Sequence, residues 1–272
     1  MSNLTQRILT GVVGATLVVG ALWVGGWIFA LLMGAVAAAA QFELYGLLSA
    51  GGTRPLVGLG LVFGLLATLW PVLPLSAPLL VAGVILVPLT VLFARRGTPL
   101  MDAAGTVFGL VYPCALASSV LVLRSTDAEW VGAGGAFWLT LTVLFGVWAA
   151  DTLAYTAGRI AGRHPLFERV SPKKTWEGAA GGAVGGIAFV AVFKTLVLPS
   201  ALSWVDVAVI GLTVGAVSQL GDLAESHFKR SVKIKDSATW LPGHGGLLDR
   251  IDAMIVAVPL VALYLEVTKG LL

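Results

Sequence analysis

Residues 135–157 read GAFWLTLTVLFGVWAADTLAYTA, a run of membrane-crossing length whose single charged side chain is Asp151. A bilayer's hydrocarbon core takes about 20 apolar residues per helix, so this run is read as a transmembrane helix. Comparable runs precede it at Ile8–Trp23, Trp27–Leu48, Leu56–Trp70, Pro78–Ala94 and Leu100–Leu123, and follow it at Gly178–Leu198, Val205–Gly221 and Leu247–Leu271. The expected fold is an all-α, polytopic integral membrane helix bundle of about nine transmembrane helices. Strand-period alternation is missing, which argues against an outer-membrane barrel. Composition agrees: of 272 residues, 58% are hydrophobic and 11% charged. Soluble proteins carry roughly 25% charge, so a water-soluble globule is excluded. One cysteine, Cys114 in an apolar run, leaves neither a disulfide framework nor a Cys-rich zinc site.

The net charge of +3 is informative mainly through its placement. With a cytoplasmic N-terminus and nine spans, one side holds Arg7, Arg54, Arg95, Arg96, Arg159, Arg163, Arg169, Lys173, Lys174, Lys229, Arg230, Lys233, Lys235 and Arg250. Only Arg124, Lys194 and Lys269 of the 17 basic residues fall on the other. The positive-inside bias therefore orients the N-terminus to the cytoplasm, and the basic balance is a topology signal; no nucleic-acid partner is expected. No Ala-x-Ala cleavage pattern follows the first span, which is read as a retained helix and not as a signal peptide.

Polar chemistry is unevenly spread. Residues 1–97 read as scaffold and lipid-facing helices, and residues 98–272 as the helices and cytoplasmic loops that carry the site. Gln41, Glu43 and Asp102 are the notable polar residues of the first half, each near a cytoplasmic helix end, where an interfacial role serves as well as a functional one. Three clusters follow, all at that face. Asp151, Tyr155 and Arg159, four residues apart, share a helix face, and an aspartate within a span needs a partner or a task. Ser171-Pro172-Lys173-Lys174-Thr175-Trp176-Glu177-Gly178 reads as an N-cap at Ser171 with Pro172 at the first helical position. Lysines in a first turn oppose the helix dipole, a conflict that a docked phosphate would remove. The third cluster runs from Gly221-Asp222 through Glu225, Ser226, Lys229, Arg230, Lys233, Lys235, Asp236 and Pro242-Gly243-His244-Gly245-Gly246 to Asp249-Arg250-Ile251-Asp252. Asp222, Glu225 and Ser226 share one helix face and Asp249 and Asp252 another, joined by a loop rich in Lys, Arg and Gly. Such a set suits a hard cation beside a polyphosphate: Mg²⁺ takes one or two carboxylates plus phosphate oxygens, and glycines let backbone N–H groups approach those oxygens. His244, flanked by glycines, is read as a loop hydrogen-bonding residue.

Ser226-x-x-Lys229-Arg230, then Lys235-Asp236, then Leu241-Pro242-x-His244-Gly245-Gly246-Leu247-x-Asp249-Arg250-Ile251-Asp252 resembles the signature of the phosphatidate cytidylyltransferases, or CDP-diacylglycerol synthases. Asp151 and the Ser171–Gly178 block also resemble that family. The resemblance implies that CTP and phosphatidic acid give CDP-diacylglycerol and pyrophosphate, with Mg²⁺ and a second, monovalent or divalent, cation as cofactors. It implies that Asp222 and Asp249 hold the metal and that basic residues hold nucleotide phosphates. It further implies a homodimer in the cytoplasmic, or inner, membrane of a bacterium.

The residues fit that reaction on their own terms. A phosphate oxygen of the lipid is already anionic, so no activated Ser, Cys or His is needed, and alignment with charge neutralisation supplies the catalysis. The expected catalytic set is Asp222, Asp249, Lys229, Arg230 and Asp252, with Glu225 as a further acidic neighbour. Lys173, Lys174, Lys235 and Arg250 are expected on triphosphate or lipid phosphate, with Ser226, Asp151 and His244 orienting the substrates. Two other classes stay open at this point: a secondary transporter, whose intramembrane acids would mark an ion path, and a related lipid nucleotidyl- or phosphotransferase with another lipid acceptor.

Overall fold

A computed structural model describes residues 3–73, 76–93, 98–240 and 245–271. Ten helical segments follow in order: α1 (Asn3–Val24), α2 (Gly26–Ala50), α3 (Val57–Leu69), α4 (Ser76–Phe93), α5 (Pro99–Ser125), α6 (Gly135–Ala161), α7 (Trp176–Leu196), α8 (Trp204–Leu212), α9 (Ser218–Ser231) and α10 (Leu248–Lys269). A π-turn at Thr213–Val217 joins α8 to α9, making one rod of 28 residues, Trp204–Ser231. A hairpin of β1 (Pro165–Phe167) and β2 (Ser171–Thr175) is the sheet found among the described residues.

Each of the nine apolar runs forms a helix, so the all-α membrane architecture holds. Among the described residues, six are long and apolar enough to cross a bilayer: α2, α5, α6, α7, the α8–α9 rod and α10. The apolar parts of α1, α3 and α4 are shorter. Pro55 before α3 and Pro71 after it leave 13 helical residues. At 1.5 Å per residue that is about 20 Å, short of a hydrocarbon core of roughly 30 Å. Several spanning helices are apolar on outward faces as well as inward ones, the pattern of a helix meant for lipid. On α2, Trp27, Ile28, Leu31 and Phe42 are exposed while Phe29, Leu44 and Tyr45 are buried.

The chain divides into two compact units, Met1–Leu121 with Phe228–Ile251, and Val122–His227 with Asp252–Leu272. In the first unit, the buried Tyr45 hydroxyl donates to Thr106 O at 2.8 Å and accepts from Gln41 Nε2 at 2.9 Å. Gln41 Nε2 also donates to Gly60 O at 2.8 Å, so one polar knot joins α2, α3 and α5. Asp102, fully buried, accepts from Arg54 N at 2.6 Å and from Thr98 Oγ1 at 3.0 Å. Gln41 and Asp102 are thus buried within the protein, and each finds a hydrogen-bond partner on a neighbouring segment. Phe228 meets Phe108 and Tyr112 edge-on, at 5.8 and 6.1 Å between centroids, fixing the end of α9 to α5. That end is closed by bonds from Lys233 N to Arg230 O and from Ile234 N to Lys229 O, with Lys233 in the left-handed region at φ 59°.

In the second unit α7 packs along α6 and the π-turn. Gln219 Nε2 donates to Gly215 O at 2.7 Å and to Ala179 O at 3.2 Å, tying the π-turn to α7. Ser203 and Asp206 form a reciprocal capping box at the start of α8. The same Asp206, buried, accepts from Tyr264 at 2.7 Å and pairs with Lys269 at 2.9 Å, tying the start of α8 to the end of α10.

Candidate active site

The second unit builds one group of site residues on the hairpin, α6 and α9. Strand β2 pairs antiparallel with β1, Pro165 opposite Thr175 and Phe167 opposite Ser171. Glu177 closes the hairpin from the first turn of α7: its carboxylate takes Arg163 N at 3.1 Å, His164 N at 3.3 Å and His164 Nδ1 at 2.6 Å. The cap of α7 is Thr175, whose Oγ1 accepts from Gly178 N at 3.1 Å. This corrects the reading of Ser171 as N-cap and Pro172 as first helical residue. Both lie in β2, and the lysines precede the helix instead of opposing its dipole, while the acid in the first turn is the favourable Glu177.

Successive strand residues face opposite ways, which separates the two lysines expected to act together. Lys173 is exposed, whereas Lys174 turns inward and its Nζ lies 2.6 Å from Asp222 Oδ2. Asp222 stands on α9, where Ser226 one turn later approaches its Oδ1 at 3.3 Å. Asp151, exposed on α6, has the like-charged Asp222 as its stronger charged neighbour and Lys174 as the next. Asp252, partly exposed in the first turns of α10, accepts from Ala253 N at 2.7 Å, and Glu225 is buried on α9.

The first unit builds the other group, around the start of α10. Lys229, on α9, pairs with Asp249 Oδ1, and both side chains are under a tenth exposed. Asp249 Oδ2 accepts from Ser237 N at 2.9 Å, Ser237 Oγ at 3.1 Å and Gly246 N at 3.0 Å. The tandem glycines have a geometric cause. Gly245 sits at φ 80°, and a Cβ on Gly246 would press against Ser237 Oγ, Glu43 and, at 2.9 Å, Ala238 N. Arg230, Lys235 and Arg250 are exposed, and Arg230 reaches Ile234 O at 3.0 Å. His244, with Leu241, Pro242 and Gly243, lies outside the described residues.

Glu43 is the residue that sequence reasoning underrated. It is 4% exposed, on α2. Oε1 accepts from Trp240 Nε1 at 2.5 Å and Leu247 N at 2.8 Å; Oε2 accepts from Ser237 Oγ at 2.6 Å and Leu248 N at 2.9 Å. It is thus a buried carboxylate at the N-terminus of α10. The signal was its type: a charge inside an otherwise apolar span is costly and marks a partner or a task.

Residues 5–268 match the model of the cytidylyltransferase family. A phosphatidate cytidylyltransferase of Brucella abortus biovar 1 (strain 9-941) is 37% identical, the match covering 97% of this chain and 94% of the relative. One from Synechocystis is 33% identical over 94% of each chain. Phosphatidate cytidylyltransferase 5, chloroplastic, of Arabidopsis thaliana is 32% identical over 93% of this chain and 70% of its own length.

Proposed function

The chain belongs to the cytidylyltransferase family, and from that premise we propose how its residues make CDP-diacylglycerol from CTP and phosphatidic acid. It is a multi-pass membrane enzyme. A phosphate oxygen of phosphatidic acid forms the new bond to the α-phosphorus of CTP. The bond between the α-phosphorus and its bridging oxygen breaks, and pyrophosphate leaves with the electron pair. Both reactants are anions, so the chain's task is to hold them in line against their repulsion and to receive charge on the leaving group.

The observation that carries the residue assignment is that the two aspartates of the signature region each hold a lysine: Asp222 holds Lys174, and Asp249 holds Lys229. Carboxylates so paired are set to hold cations, and ammonium groups so placed are set to meet phosphate. Asp222 suits a divalent ion. Its side chain is about a third exposed (34%), its Oδ1 has, among the described residues, the 3.3 Å approach of Ser226, and Asp151 adds a second negative charge near the Lys174 ammonium. Asp249 Oδ1 carries a lone pair beyond the one that Lys229 takes. We assign both as the cation-holding carboxylates, and Mg²⁺, when bound there, neutralises phosphate charge. Lys173, Lys174, Lys229, Arg230, Lys235 and Arg250 receive phosphate oxygens of nucleotide and lipid, with Ser226, Asp151, Asp252 and His244 orienting them. In this reading the N-terminus and the site lie on the cytoplasmic side of the inner membrane, supported by the one-sided spread of Lys and Arg. The working unit in this reading is a homodimer.

The test is liponucleotide formation by purified protein in micelles, without any ion gradient, from labelled CTP and phosphatidate. Product with CTP, little with ATP, and none in EDTA until Mg²⁺ is restored is the expected result; no CDP-diacylglycerol under any divalent cation overturns the assignment.

A further inference from the structure

Glu43 lies about 200 positions before the signature in the chain, yet its carboxylate takes four donors from the segment Ser237–Leu248. That segment connects Lys235 to Asp249 and Arg250. Two of the donors, Leu247 N and Leu248 N, are amides that the start of α10 leaves without partners in its own helix. A negative charge at that end satisfies them and complements the helix dipole. A third, Ser237 Oγ, lies 2.6 Å from Glu43 Oε2 and 3.1 Å from Asp249 Oδ2, while Ser237 N also binds Asp249. Gly246 completes the packing: any side chain there would strike both Glu43 and Ser237, so the loop closes on the carboxylate at backbone distance.

We propose that Glu43 is a positioning residue of the reaction, the fixed post that holds Ser237 and Trp240 on one flank of the loop between Lys235 and Asp249 and Leu247 and Leu248 on the other. This rests on the nucleotide-binding reading of that loop given above. Glu43 touches no substrate. It acts through Ser237, Leu247 and Leu248, and sets where Asp249 and the flanking basic groups meet the triphosphate. Only a carboxylate serves. In Glu43→Gln, whichever way the amide is turned, its NH₂ faces the backbone N–H of Leu247 or of Leu248, a donor that cannot turn away.

The experiment measures steady-state CDP-diacylglycerol synthesis by Glu43→Gln, Ser237→Ala, Trp240→Phe and the Glu43→Gln/Ser237→Ala double variant, together with backbone amide exchange over residues 245–250. In Glu43→Gln the KM for CTP rises about tenfold or more, the KM for phosphatidate stays within about twofold, and the Leu247 and Leu248 amides exchange faster. A residue that merely stabilised the fold would lower the active fraction and leave the KM of the surviving enzyme alone. Since Ser237 bridges Glu43 and Asp249, the double variant is no worse than Glu43→Gln. An unchanged KM for CTP with amides still protected overturns the proposal, as does full additivity of the two changes. Should Glu43→Gln not accumulate, Trp240→Phe carries the test: it removes one donor and keeps the carboxylate. A KM for CTP raised about threefold supports the role, and an unchanged one refutes it. Failure of the wild-type chain to make liponucleotide would instead overturn the reaction assignment, and amide exchange would still judge Glu43.

Discussion

Asp249→Asn ought to cost both turnover and stability, and the structure separates the two. The side chain is 5% exposed, and Lys229 beside it is 8% exposed. Replacing Oδ1 by an NH₂ group sets a donor against a buried ammonium. Breaking a buried pair by neutralising one partner costs about 3–5 kcal/mol, most of it the uncompensated charge left behind. The Oδ2 side is spared, because an amide oxygen there still accepts from Ser237 N and Gly246 N. Adding Lys229→Met removes the stranded ammonium, and a neutral, apolar replacement of a buried ion is often tolerated. The double variant therefore recovers most of the lost stability and none of the activity, since both the carboxylate and the ammonium are gone from the site. Thermal unfolding in micelles, alongside product formation from labelled CTP, reads both quantities. An active Asp249→Asn enzyme would refute the catalytic assignment. A double variant as unstable as the single would refute the electrostatic argument.

Asp222→Asn should also abolish turnover, but with a loss of stability below about 1 kcal/mol in the same unfolding assay, because its pair with Lys174 is a quarter to a third exposed and screened by water. Lys173→Ala raises the KM for one of the two phosphate substrates without changing unfolding, as expected of an exposed strand residue; unchanged KM values for both would remove it from the site. Thr175→Ala deletes the cap of α7 and lowers stability by about 1 kcal/mol, with faster exchange of the Gly178 amide as the local signature. EDTA abolishes product formation and Mg²⁺ restores it, whereas Na⁺ alone at equal ionic strength does not; full activity in EDTA would show that lysine and arginine suffice.

The helices were legible because lipid imposes a simple rule: each apolar run closes its own backbone hydrogen bonds, and α2, α5, α6, α7 and α10 lie where the runs do. Boundaries were less so. The eighth run was read to Gly221, but the helix continues to Ser231, since polar residues on a helix surface break the hydropathy pattern without breaking the helix. Lys229 and Asp249 could be picked from their spacing in the signature, and they do pair. Glu43 could not be picked for its partners, because long-range contacts leave no periodicity. Ser171-Pro172 misled through a rule that holds for helix starts: the same dipeptide also suits the edge strand of a hairpin, and Thr175 took the cap four residues on.

The π-turn at Thr213–Val217 carries one residue more than an α-helix needs over the same length. Each residue of an α-helix advances the azimuth by about 100°. Shortening this rod by a single amino acid within the π-turn, say Ala216, would regularise its winding and leave Asp222 on nearly the bearing where Lys174 waits, whereas removing a second residue would swing everything beyond it through roughly a quarter turn. Loss of that second residue, with no chemistry of its own, would then silence the enzyme as surely as loss of the aspartate, while loss of the first would be tolerated.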